Sequence, residues 1–505
     1  MRDAERHGAD GAGEPDTDRG PRTAAAALLA ATLCLIAGCA GVPAGSSHAD
    51  AELSRTATRL AEQIGFVDDD ALAGYVAAVG RRVSANASRP GVSYRFHVLD
   101  MGTPNALALP DGNVYISRGL LVLVNSEDEL AGALAHEIAH VERDHASGRS
   151  NVSIATAPIR IGTGLAGYAT AIFSPEVGEA IASFGETASN VVLAPYSRDQ
   201  EREADDVGQQ LMLAAGYDPA GLSRLLDVIA RSETLDDAAD TGSDFFSTHP
   251  ATAERVSTTR AHAAALGGPA AGTVILERAA LLERLAGLPV GRNPAQGFFE
   301  GDWFIHPQLG FALRFPAEWE KVNTASFVGA KAADDEVFLT VSPVAEGEDP
   351  VEGARRLSGK VGVDIASDAK RLEINGLAAA VNQAQVGDGP KANALLLTWV
   401  AHRGVIYEIM GLAPLARYEA VRGELTRATS TFRALTREEL GRIEIIKLDI
   451  VAARDRESLA ELAARTRSVW PQEVIAVVNG RELGDRLRAG ELVKVAVPRP
   501  VAPAD

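Results

Sequence analysis

The sequence predicts three successive folded regions: a mainly α-helical domain with a small β-sheet, then an α+β domain, then a short βααβ module. Three observations predict this. Up to about residue 290 the chain is Ala-rich, with apolar residues at helical spacing and only two short alternating stretches. After Gly291–Gly301, GRNPAQGFFEG, which has loop composition, alternating stretches dominate. From Ile443 the pattern runs strand, helix, helix, strand.

Thr23–Ile36, TAAAALLAATLCLI, is an apolar run of signal-peptide length preceded by Arg19 and Arg22, and it is too short for a bilayer-spanning helix. The six acidic residues before Thr23 make a poor opening for such a signal, which places the true start downstream of Met1. A helix is expected over Ala51–Ser88, and strands over Tyr94–Asp100 and Asn113–Ser117. LAGALAHEIAHVERDH forms a helix, and PYSRDQEREADDVGQQLM forms another, with acidic residues near its start and apolar Val207, Leu211 and Met212 further along. Between them Ile159–Val192 is apolar but interrupted by Arg160, Pro175, Glu176, Glu179 and Glu186, so it reads as a buried or lid-forming helical pair and not a membrane span.

In the second region strands are expected at Phe311–Phe315, Val337–Val341, Leu372–Val381, Ala394–Ala401 and Val405–Leu412, with helices at Pro350–Leu357 and Tyr418–Leu435. The module pairs IEIIKLDIV with RLRAGELVKVAV around the helices RESLAELAART and PQEVIAVVNG. The regions are therefore 1–38 as a signal peptide, 39–290, 300–436 and 441–498.

His136, Glu137 and His140 form the H-E-x-x-H pattern. Histidines four apart leave a helix on one face, so their ring nitrogens converge on one metal while Glu137 serves as general base toward water there. A catalytic zinc takes three protein ligands. Glu201 supplies the third, and Asp205, one turn on, braces a ligating histidine by accepting its other ring N–H; Glu203 points elsewhere. His145 falls about 140° round the helix from His140, so it satisfies a local group and does not ligate. His97, His262, His306 and His402 have no metal-like spacing and read as packing or surface histidines.

H-E-x-x-H followed by E-R-E-A-D resembles the gluzincin metallopeptidases of the CAAX prenyl protease, HtpX and BepA type. Thr103–Leu121, TPNALALPDGNVYISRGLL, resembles that family's N-A-x-A-L-P-G-G segment, and STHP with Arg255 resembles its S-T-H-P-x-x-x-x-R segment. The resemblance spans roughly residues 50 to 260. It implies a zincin-like fold, one Zn(2+) per chain on His136, His140 and Glu201, and Glu137 as catalytic base. It also implies a substrate-binding edge at Asn105, Ala106 and Leu107 and a substrate contact at Arg255, whose alternative is a structural ion pair. His249 is a catalytic oxyanion donor, a cover over the metal's open position, or a helix-entry residue before Pro250.

Leu35–Cys39 resembles the bacterial lipobox, which makes Cys39 a lipid-attachment residue and the membrane a partner through that anchor. Ala40 then points to the outer membrane. The only other cysteine, Cys34, lies in the leader, so the mature chain has no disulfide and rests on hydrophobic burial, which 46% apolar residues can supply. A net charge of -19 argues against nucleic acid as a partner. HPQLGFALRFPAEWE and STFRALT resemble PsbP- and Mog-like domains, and 441–498 resembles a LysM module whose first turn, ARDRES, departs from the usual one; peptidoglycan or envelope-protein contact through it is expected. The reading is a zinc endopeptidase on the periplasmic side of the envelope that degrades misfolded or misassembled polypeptides. Its alternative is a latched, non-proteolytic assembly or chaperone factor.

Overall fold

The computed structural model describes residues 64–145, 195–235, 249, 253–268 and 277–501, with short gaps at 335, 362–363, 387–388 and 390–391. The leader, Cys39, the first part of the helix expected at 51–88, the 159–192 stretch and most of the STHP segment lie outside the described residues.

Helix α1, Asp70–Ser84, starts where the Asp69 side chain accepts from Leu72 N, and buries Leu72, Val76, Val79 and Val83 at helical spacing. Gly80 brings it onto β1, Arg95–Leu99: a Cβ there would lie 2.4 Å from the Phe96 ring. β1 pairs in parallel with β3, Asn113–Ser117, and β3 pairs antiparallel with β2, Ala106–Ala108, so β2 has a partner on one side only among the described strands. Alternation splits the sheet. Phe96, Val98, Ala106 and Ala108 face the main core, while Leu107 packs the other way with Ile64, Leu99, Met101, Leu109 and Tyr115.

Helix α2, Arg118–Leu123, leads into α3, Glu127–Glu142, which is capped by Ser126 and buried from Glu129 through Val141. Small residues Ala131, Gly132, Ala135 and Ala139 let neighbours approach it from several sides. Helix α4, Arg198–Ala214, crosses it at Gly208, where a Cβ would sit 3.2 Å from Ala135 C and His136 N. α5, Ala220–Glu233, and α6, Ala253–Leu266, complete the helical layer, and α7, Arg278–Leu285, ends it.

The expected loop at 291–301 is pinned to this layer. Buried Arg118 pairs with Asp100 and donates to the carbonyls of Pro289 and Gly291, and Asp100 also accepts from Asn293 and Gln296 at 2.7 Å. Beyond it a seven-stranded antiparallel sheet and a four-stranded sheet carry α8, Val351–Val361, and α9, Leu415–Thr429. One expectation is corrected. Leu372–Val381 is not one strand but a hairpin, Lys370–Ile374 and Leu377–Val386, turned at Asn375 and Gly376 with φ of 50° and 82°; Asn-Gly is the pair that tolerates two positive φ values in succession. Trp303–His306, Glu320–Asn323 and Val328–Lys331 are further strands too short to stand out in the sequence.

The βααβ order of the last region is present as strands Glu444–Ala452 and Leu492–Pro500 around helices Leu459–Thr466 and Gln472–Val478. It is not a detached module. Leu448, Leu459, Trp470, Ile475, Val493 and Val495 share one apolar core with Leu72, Val76, Leu130, Leu134 and Leu225. The 287–290 segment adds to the first of these strands through Gly287 N to Leu448 O and Val290 N to Ile446 O, both 2.8 Å. Lys494 is fully buried, donating to the carbonyls of Val122 at 2.7 Å and Val124 at 2.9 Å just ahead of α3.

Candidate metal centre

His136 and His140 leave α3 one turn apart, and their rings meet edge to face with centroids 4.6 Å apart and Nε2 atoms 3.0 Å apart. Glu201, in the first turn of α4 behind the Ser197–Gln200 capping box, places Oε2 3.4 Å from His136 Nε2 and Oε1 3.4 Å from His140 Nε2. His249 joins them, with Nδ1 3.0 Å from Glu201 Oε1 and 3.3 Å from His136 Nε2. One donor atom from each of the four lies within 4.8 Å of the others, and all four residues are buried.

The spacing and the charge both fit a divalent cation. Tetrahedral ligands at 2.0–2.1 Å from zinc are about 3.3 Å from one another, close to the 3.0–3.4 Å separations here. Glu137, Glu201 and Asp205 bring three carboxylates to the site, and Arg255 brings one fixed cation. With the histidines neutral, as ligation requires, the balance is two negative charges in a dry interior, which a 2+ ion neutralises.

Asp205 Oδ1 lies 3.0 Å from His136 Nδ1, which puts a carboxylate at the far side of that ring. Arg255 holds Asp205 in turn: Nε donates to Oδ2 and Nη2 to Oδ1, both at 2.8 Å, and Nη1 reaches Glu201 Oε2 at 2.6 Å. Of the two readings of Arg255, this geometry is that of the ion pair. Its guanidinium is buried against two carboxylates and has no surface to offer a substrate. Burial works against charge on every group here, and the pairs outweigh it at Asp205, Glu201 and His136. Asp205 is driven below the usual carboxylate range by Arg255 and His136, Glu201 is driven below it by His249 and His136, and His136 is raised to about 10 by Asp205 and Glu201. His140 is lowered by its burial.

Glu137 is fully buried, with Oε1 3.5 Å from His249 Nε2. Asn105 and Ala106 lie at the start of β2, which α3 packs against, and both are buried. The Leu107 side chain points into the small core on the opposite face, so only its backbone can serve a substrate. Glu203 is half exposed and meets Arg143 and His145. His97 stacks between Phe66 and Tyr115, His262 meets Gln209, and His402 bonds the Gly310 carbonyl, all away from the centre; burial holds the His306 pKa down to about 3.

Sequence reasoning missed Tyr196. Its ring stacks on His140 with centroids 3.7 Å apart and planes 14° apart. It stands immediately before the Ser197 cap of α4 but packs on α3, and no pattern in the sequence pointed to that contact.

Residues 70–263 match Peptidase family M48. The chain is 32% identical over 182 residues to the mitochondrial metalloendopeptidase OMA1 of Schizosaccharomyces pombe, covering 36% of this chain and 50% of that protein. It is 26% identical over 162 residues to the beta-barrel assembly-enhancing protease of Escherichia coli K12, covering 32% and 33%. To the metalloprotease LoiP of the same strain it is 28% identical over 151 residues, covering 30% and 55%. The chain thus spans about half the length of these relatives, or less. The solution structure of cyanobacterial PsbP from Synechocystis sp. PCC 6803 aligns with 27% of this chain and 94% of that one, at 14% identity and a TM-score of 0.22.

Proposed function

We propose that this chain is a zinc-dependent endopeptidase of the bacterial cell envelope, anchored by lipid on Cys39, whose substrates are misfolded or misassembled envelope polypeptides. The observation that carries the reading is the convergence of His136, His140 and Glu201 in a buried, doubly negative site with Glu137 on the same helix. The matched family and the relatives' names, metalloendopeptidase and protease, support the reaction class. The beta-barrel assembly-enhancing name supports the envelope setting.

His136, His140 and Glu201 would hold the zinc. When bound, it supplies the positive charge that polarises a scissile carbonyl and acidifies water. Glu137 takes the proton of the attacking water on a carboxylate oxygen and returns it to the leaving amine. Asp205, locked by Arg255, keeps the His136 Nδ1 proton in place so that Nε2 faces the centre. The free side of β2 at Asn105–Leu107 would pair with an extended substrate through its backbone.

His249 lies among the donor atoms themselves, which favours the covering role over the oxyanion role and gives the latched assembly factor its one specific support. The test uses Glu137→Gln and His249→Ala with a denatured outer-membrane protein as substrate. Glu137→Gln should keep about one zinc per chain by elemental analysis and lose cleavage by on the order of a hundredfold or more, while His249→Ala should cut faster than wild type. Equal behaviour of all three proteins would leave the assembly factor standing. Cys39→Ser should move the protein from the membrane to the soluble fraction.

A further inference from the structure

The end of α3 does something the helical spacing does not foresee. Asp144 takes φ of 58°, so the chain turns back: Asp144 N bonds Val141 O at 3.1 Å and His145 N bonds His140 O at 3.0 Å. This is a Schellman ending, which lays the second residue past the cap against the residue three before it. Here those two residues are His145 and His140. Their Nδ1 atoms lie 2.9 Å apart, although a continued helix would have set the side chains about 140° apart.

Two nitrogens at that distance share one proton. His140 Nε2 faces Glu201 and His136, so a cation held there needs the Nε2 lone pair and puts the ring proton on Nδ1. His145 Nδ1 is then the acceptor and its own proton sits on Nε2, which faces Glu203 Oε2 at 3.4 Å. Tyr196 covers the flat face of the same His140 ring. The two histidines of the centre are thus braced differently, His136 by a carboxylate and His140 by a neutral imidazole.

We propose that His145 is the positioning residue of His140, accepting its Nδ1 proton and so fixing the tautomer and ring angle that present Nε2 to the metal. The role rests on the metal-site reading above.

The experiment measures zinc affinity by competition with a chromophoric chelator for wild type, His136→Ala, His145→Phe and His145→Asn. Wild type should bind about one zinc and His136→Ala should not; failure there removes the metal reading itself. With that control met, His145→Phe should bind roughly ten- to a hundredfold more weakly. His145→Asn, whose Oδ1 stands where Nδ1 stood, should stay within a few-fold of wild type. Wild-type affinity in His145→Phe, or equal weakening in both variants, overturns the proposal. Should His145→Phe not fold, ¹⁵N spectra of the histidine rings in zinc-loaded wild type decide: His145 as the Nε2–H tautomer supports the role, and Nδ1–H overturns it.

Discussion

Arg255→Met tests whether the centre is assembled as an ionic network. The Arg255 side chain is 4% exposed, and methionine follows most of its stem while deleting only the cation. Three close contacts to carboxylates vanish, at 2.8, 2.8 and 2.6 Å, leaving Asp205 and Glu201 buried without their fixed positive partner. At about 1.5–3 kcal/mol for each charge-assisted bond the sum is an upper bound, because the guanidinium no longer has to be dehydrated. Breaking a buried pair from one side costs about 3–5 kcal/mol, which is the expected loss for the metal-free protein at pH 7. The pH dependence has a definite sign. The folded pKa of Asp205 is lowered, so its contribution is complete above the unfolded carboxylate value of about 3.9 and is lost as pH falls through the folded value. The deficit between variant and wild type should therefore narrow in acid. Urea unfolding in chelator, followed by circular dichroism at pH 7 and at steps below pH 5, measures both. A loss below about 1 kcal/mol at pH 7, or a deficit that stays flat in acid, would refute the network. A raised KM with unchanged stability would return Arg255 to a substrate contact.

Asp205→Asn should weaken zinc binding by roughly ten- to a hundredfold without abolishing it, read by the same chelator competition. Gly208→Val inserts side-chain atoms where a Cβ already lies 3.2 Å from the α3 backbone; it should cost about 1–3 kcal/mol and lower zinc affinity by parting the two metal helices. A chain truncated after Arg442 should show no cooperative thermal transition by calorimetry, because Leu448, Ile475 and Val495 belong to the core that holds α3.

Much of the centre was legible because its chemistry is local. His136, Glu137 and His140 sit on one helix, Glu201 and Asp205 on another, and a spacing of four places His136 with His140, and Glu201 with Asp205, on one face. What could not be read depends on where chains turn or meet. His145 reaches His140 only because Asp144 adopts a positive φ, a conformation aspartate tolerates but does not announce. Arg255 lies 50 residues from Asp205, and its sequence neighbourhood fits an ion pair and a substrate contact equally. The Asn375-Gly376 turn carried a readable signal that was outweighed by the apolar run across it. The attachment of the last region to the first was invisible for a plainer reason: a βααβ pattern states which faces are apolar and says nothing of what covers them.

The four-donor arrangement has a consequence for turnover. Catalytic zinc sites keep three protein ligands and an open position, whereas four protein donors make a closed site of the structural kind. His136 and His140 are held by α3, and Glu201 by the capped first turn of α4; each is also braced, by Asp205, His145 or Arg255. His249 lies outside both helices, so it is the donor that can leave without dismantling the helix pair. On the proposed reading, the arrangement described is the resting form of the enzyme, with Glu137 sealed at 0% exposure behind it. Each 1.4 kcal/mol by which the covered form is preferred lowers the apparent affinity for substrate about tenfold. On the same reading a substrate that repays this through pairing along β2 would open the site, and one that cannot present an extended strand would leave it shut. On the proposed reading, selectivity for unfolded chains would follow from the cover and the sheet edge together.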